Sequence, residues 1–208
     1  MTQESVLTRL REGGLVVVAR RLEREHTSSV AACLVGVGAP ALELTLDEPT
    51  AVESIAEIQQ QLSGQLLIGA GTVLQLSDAK KAIAAGADFV VSPVYIPSVQ
   101  RLCRESNVLY IPGGASPTDI FRILKSGTKA VKLFPASLMT PSSRLLSFAV
   151  VCAAVFPDGR MSDTTPAKIA ISVRRKDPRE QVAMTSPALQ QHRVSSPSRS
   201  LGVMIFIV

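Results

Sequence analysis

The chain is predicted to be an α/β protein of the (β/α)₈ barrel type, and three observations predict it. Residues 15–136 alternate short β-branched runs with Ala/Leu-rich helical stretches, and strand starts recur roughly every 20–26 residues. The strand runs are almost continuously apolar, as expected when both faces of a parallel sheet are covered. The residues of most chemical interest, Arg20, Glu43, Thr72, Pro93 and Lys132, fall at the C-terminal ends of those strands, where barrels carry their chemistry. Six consecutive βα units also suit a doubly wound sheet. The absence of a GxGxxG or Walker A motif weakens the nucleotide-binding form of that alternative.

The strands are placed at 15–19, 41–45, 66–69, 88–92, 108–111 and 129–134. Helices fill the intervals at 28–37, 49–62, 77–85, 98–106 and 117–126. Gly38, Gly86 and Gly127 stand where helices end, a position that favours a left-handed residue. Ser77 is the expected cap of the third helix. Ser116, Pro117 and Asp119 form a Ser-Pro-x-Asp capping box at the start of the fifth. After Pro141 the pattern breaks. The sequence therefore divides into a barrel region, 1–141, and a divergent tail, 142–208, in place of the last two βα units. The tail is Ser/Pro-rich at 185–200, a composition typical of disorder, and ends in a β-prone apolar run at 201–208.

At 208 residues the chain is long enough for one domain with a substantial core. With aromatics at 4 % and no Trp, that core must rest on aliphatic side chains. The 22 basic and 17 acidic residues divide as 13 and 13 before residue 142 and 9 and 4 after it, so the tail carries the whole excess of +5. Only Arg174-Arg175-Lys176 forms a basic run, without interleaved aromatics, which argues against nucleic acid as a partner. No apolar run reaches the roughly 18 residues that span a bilayer, and the N-terminus lacks signal-peptide features. Cys33, Cys103 and Cys152 are far apart and read as buried thiols of a reducing, cytoplasmic protein.

Lys132 is the residue most at odds with its surroundings. It lies in Lys129-Ala130-Val131-Lys132-Leu133-Phe134-Pro135-Ala136, an apolar strand ending at a proline. Burial disfavours the ammonium form. A lysine of ordinary pKa is neutral in about one molecule in 2,500 at pH 7. Lowering its pKa to about 7–8 yields a useful nucleophile that forms a Schiff base with ketones. Strand alternation puts Ala41, Glu43 and Thr45 on one face, Ala130, Lys132 and Phe134 on another, and Val16, Val18 and Arg20 on a third. If these faces point inward, a base, an amine and a guanidinium converge at the barrel mouth.

Six strings in order carry a family resemblance: Val16-Val17-Val18-Ala19-Arg20, Leu42-Glu43-Leu44-Thr45-Leu46, Ile68-Gly69-Ala70-Gly71-Thr72-Val73-Leu74, Val91-Ser92-Pro93, Ile111-Pro112-Gly113 and Val131-Lys132-Leu133-Phe134-Pro135-Ala136. Over residues 3–141 the chain resembles the class I aldolases that cleave 2-keto-3-deoxy-6-phosphogluconate and 4-hydroxy-2-oxoglutarate. The resemblance implies a TIM barrel, a homotrimer, and lyase chemistry without cofactor or metal. It makes Lys132 the Schiff-base lysine and Glu43 the general acid/base. Arg20 and Thr72 would hold the substrate carboxylate, and Pro93 and Phe134 would line the pocket. Where some members have an arginine after the second strand, this chain has Asp47. The family's Pro-Thr-Gly-Gly and Gly/Ser phosphate loops have no counterpart beyond Thr165-Pro166.

Read without the resemblance, each residue has a structural alternative. Lys132 could snorkel to water from a strand end, and Glu43 could be an ordinary paired carboxylate. Arg20 opens the charged stretch 20–25, which suits a solvated loop, and Thr72 could cap a turn. Gly69 and Gly71 could serve close packing. His26 and His192 are isolated and carry no assigned role. The rivals for the whole chain are an inactive, truncated or frame-shifted homologue and a sugar-phosphate-binding barrel that forms no imine.

Overall fold

A computed structural model describes residues 1–135, 170–172 and 202–207, the last two segments as backbone strands. The remaining positions, which include Cys152, Thr165-Pro166, His192 and the Ser/Pro-rich stretch, lie outside the described residues. The chain opens with α1 (Gln3–Gly13), capped by Thr2 in a reciprocal box with Ser5. The order then runs β1 (Val16–Arg20), α2 (Arg24–Gly36), β2 (Ala41–Thr45), α3 (Ala51–Leu62), β3 (Leu67–Gly71), α4 (Leu76–Ala84), β4 (Phe89–Val91) and α5 (Pro97–Glu105). It continues with β5 (Leu109–Ile111), β6 (Gly113–Gly114), α6 (Pro117–Lys125), β7 (Lys132–Leu133), β8 (Ala170–Ser172) and β9 (Gly202–Ile207).

The sheet order is β5-β4-β3-β2-β1-β9-β8-β7-β6. Because β5 and β6 are the two halves of one chain segment on either side of Pro112, this order closes on itself. The segment pairs with β4 through its first half and with β7 through its second. The ring is thus an eight-stave barrel. Seven staves are parallel, whereas β9 is antiparallel to both β1 and β8. The β-prone 201–208 run therefore supplies a stave whose register no periodicity in the sequence specifies.

Alternation along the staves separates two cores. Val16, Val18, Ala41, Leu67, Phe89, Val91, Leu109 and Ile111 face the barrel interior. Val17, Leu42, Leu44, Ile68, Ala70, Val90 and Tyr110 face the helices. Helix α1 drives Val6, Leu7 and Leu10 into the interior cluster and closes the N-terminal end of the barrel. The alternation of strands and helices read from the sequence starts only at residue 15, yet Thr2 with Ser5 and the Val6, Leu7, Leu10 spacing are signals for this helix.

Several expectations need correction. Ser77 does not cap α4: its N-cap is Gln75, and Ser77 lies inside the first turn. Helix α2 begins at Arg24, so the stretch 20–25 is part loop and part first turn. Cys33 is exposed, because α2 buries Thr27 and Ala31 and position 33 falls on the opposite face. Cys103 is buried as expected, and burial pushes its thiol up to about 12. The sixth strand is only Lys132–Leu133, short of 129–134. Gly38, Gly86 and Gly127 do take left-handed φ, and Ser116 with Asp119 forms the expected capping box.

Candidate active site at the barrel mouth

Glu43 occupies the middle of β2, with Val18 and Gly69 as its ladder neighbours. Lys132 opens β7, paired in register with Gly113 on one side and Ala170 on the other. From opposite sides of the ring the two side chains approach within 3.9 Å, Nζ to Oε1, with side-chain exposures of 8 % and 2 %. The Lys132 ammonium also stands 5.4 Å from the centre of the Phe134 ring, in a cation–π arrangement. Both Lys132 and Glu43 are therefore buried, and the snorkelling alternative for Lys132 does not hold.

The room for the Glu43 carboxylate comes from a glycine. A Cβ at Gly71 would overlap Oε1, Cδ and Cγ of Glu43. A Cβ at Gly69 would instead meet the Phe89 ring. The two glycines thus do different work. Gly69 admits a core aromatic, as close packing suggests, while Gly71 leaves the space that the Glu43 carboxylate fills.

Burial pushes the Lys132 ammonium below the ordinary lysine range, the Arg20 charge pushes the same way, and Glu43 opposes both. Burial raises the Glu43 carboxyl, opposed by the Lys132 charge. Both groups are driven toward their neutral forms. The depressed Lys132 contributes stability that is present above about pH 10.4 and lost as pH falls through its folded value. The raised Glu43 contributes stability that is present below about pH 4.3 and lost as pH rises through its folded value. At neutral pH neither contribution is fully available, so the pair costs stability there. Replacing both groups by apolar side chains of similar volume, Lys132→Met with Glu43→Met, should leave the fold about 1–3 kcal/mol more stable than the parent at pH 7. Either single replacement should be less stable than the double. Urea unfolding of the three variants checks the ranking.

The other expected residues stand at or just beyond the ends of β1, β3 and β4. Arg20 ends β1 and is about half exposed, with Nε donating to Asp47 Oδ2 at 2.9 Å. Thr72 directly follows β3, half-buried, at a φ of 58°, a left-handed conformation that a β-branched residue rarely adopts. Pro93 is half-buried just after β4, beyond the buried Ser92, whose hydroxyl donates to the Val73 carbonyl at 2.7 Å. Among the described residues, the one cluster with metal-ligand character is Glu23, Glu25 and His26, which is exposed and lies on and beside the first turn of α2. No helix among the described residues is long and apolar enough to cross a membrane.

A sequence model described as "KDPG and KHG aldolase" matches residues 6–165. The chain belongs to that family. Among curated members, the 2-dehydro-3-deoxy-phosphogluconate aldolase of Treponema pallidum is 41 % identical over 135 residues, covering 64 % of either chain. The chain thus spans about 64 % of that relative's length. The crystal structure of the Zymomonas mobilis ZM4 2-keto-3-deoxy-6-phosphogluconate aldolase with 3-phosphoglycerate superposes with a TM-score of 0.66 at 25 % identity, covering 81 % of this chain and 74 % of that one. The Legionella pneumophila KDPG aldolase, captured with pyruvate as a covalent carbinolamine, superposes with a TM-score of 0.56 at 28 % identity, covering 68 % and 66 %. These family structures share the barrel fold.

Proposed function

We propose that the chain is a class I lyase that cleaves a 2-keto-4-hydroxy acid to pyruvate and an aldehyde through a Schiff base on Lys132. The buried approach of Lys132 to Glu43 at the barrel mouth carries this reading. Neutral Nζ attacks the C2 carbonyl, and the carbinolamine hydroxyl leaves as water by taking the proton of the neutral Glu43 carboxyl, which gives a protonated imine and a Glu43 carboxylate. Glu43 takes the C4 hydroxyl proton, the C3–C4 bond breaks, and its electron pair flows into the C2–C3 bond of an enamine. The aldehyde departs. Glu43 returns a proton to C3, and water hydrolyses the protonated imine to release pyruvate and the neutral amine, the remaining proton going back to the Glu43 carboxylate. Arg20 and Thr72 are assigned to the keto-acid carboxylate, a planar anion suited to a guanidinium. Pro93 and Phe134 are assigned to the pocket walls.

The sequence lacks the family's phosphate loops, which favours 4-hydroxy-2-oxoglutarate, cleaved to pyruvate and glyoxylate, over the phosphorylated 2-keto-3-deoxy-6-phosphogluconate. Measuring pyruvate release from both substrates tests this reading. A higher kcat/KM on 4-hydroxy-2-oxoglutarate is expected, and release from neither would overturn the assignment. A cytoplasmic homotrimer is part of the same proposal. It is supported by the family resemblance and by the exposed Leu74 and Val94, just beyond β3 and β4, with Leu76 at the start of α4.

A further inference from the structure

Asp47 is not among the residues to which the family resemblance assigns a role, yet it sits against one of them. It lies two residues beyond β2, with its side chain 21 % exposed. Its Oδ2 takes the Arg20 Nε at 2.9 Å and stands 3.6 Å from the Arg21 Nε. Consecutive residues at a strand end normally point to opposite sides. Here Arg21 turns the chain with a φ of 54°, and both guanidiniums reach the same carboxylate. The Asp47 carboxyl stays below its ordinary range: burial would raise it, but the Thr45 hydroxyl and Arg20 outweigh that. The carboxylate is therefore a persistent anion. Because the bond to Arg20 is made through Nε, neither terminal nitrogen of that guanidinium donates a hydrogen bond among the described residues.

We infer that Asp47 is a positioning residue that anchors Arg20 by Nε and leaves its terminal nitrogens to take the substrate carboxylate. The inference rests on the reading of Arg20 as the carboxylate-binding group. An unanchored arginine must give up its rotamer freedom on binding substrate, whereas an anchored one has already done so. A carboxylate that only offset positive charge would have the opposite effect, because removing it would strengthen the pull on an anionic keto acid. The sign of the effect therefore separates the two roles.

The test follows how irreversible borohydride labelling of Lys132 in the full chain depends on pyruvate concentration. For Asp47→Ala the half-saturating pyruvate concentration should rise about five- to tenfold, the range set by immobilising one long side chain. The saturated labelling rate should stay within about twofold. Asp47→Asn, which keeps the size and one acceptor, should fall between the parent and the alanine variant, and it carries the test if Asp47→Ala does not fold. In an Arg20→Ala background, Asp47→Ala should add nothing. A fall or no change in the half-saturating concentration for both Asp47 variants, with Arg20→Ala raising it, overturns the inference alone. If Arg20→Ala leaves that concentration unchanged, the carboxylate role of Arg20 falls and the inference with it.

Discussion

Replacing Lys132 by methionine is expected to abolish retro-aldol turnover, by about 10⁴-fold or more, the scale on which covalent enzymes lose rate when the nucleophile is deleted. The residue is 7 % exposed and faces Glu43 across the barrel mouth, so methionine fills much the same volume without the amine. Lys132→Arg sharpens the prediction. A guanidinium keeps the cationic charge but does not shed its proton at working pH and forms no imine. It should be as inactive as the methionine variant. It should also be less stable, because burial penalises a charge that cannot neutralise. Pyruvate release and thermal unfolding read the two effects separately. Substantial turnover in Lys132→Arg would mean that the site works by charge stabilisation and not by covalent attachment.

The second large effect is expected at Gly71. The backbone there is open to any residue, since its φ is not left-handed, so an added methyl group meets no strain of its own. What it meets is the Glu43 carboxylate. Gly71→Ala should displace that group and lower turnover by about 10²-fold, within the usual contribution of a positioned acid/base. The barrel should remain folded. Glu43→Ala should lose a similar factor, and the double variant should be no worse than the single ones, because both remove the same proton transfer. Losses that multiply would show that Gly71 supports something other than the Glu43 carboxylate.

The parts of this molecule that could be read from its sequence are those where local chemistry and tertiary context agree. Ser116 with Asp119 is a capping box in sequence and in space, and the alternation of Ala41, Glu43 and Thr45 survives because the interior of a barrel admits only one face of each strand. The convergence of Glu43 and Lys132 follows from that same periodicity. Where reading failed, the deciding contact was distant in sequence. Ring closure depends on residues 202–207 pairing antiparallel with β1, a register that no local pattern encodes. The bond between Arg20 and Asp47 spans 27 positions and two consecutive strand ends, so in sequence alone the stretch 20–25 suits solvated charge. Gly71 carried a glycine signal, but which atom needed the space is settled by the fold alone.

The central claim is that Lys132 presents a neutral amine to a keto acid inside the closed mouth. Incubating the full chain with pyruvate and borohydride, then locating the adduct by peptide mass spectrometry, addresses it directly. A single reduced pyruvyl adduct on Lys132 is expected, with exposed lysines such as Lys129 and Lys125 unmodified. An unmodified Lys132, or label spread over surface lysines, would contradict it.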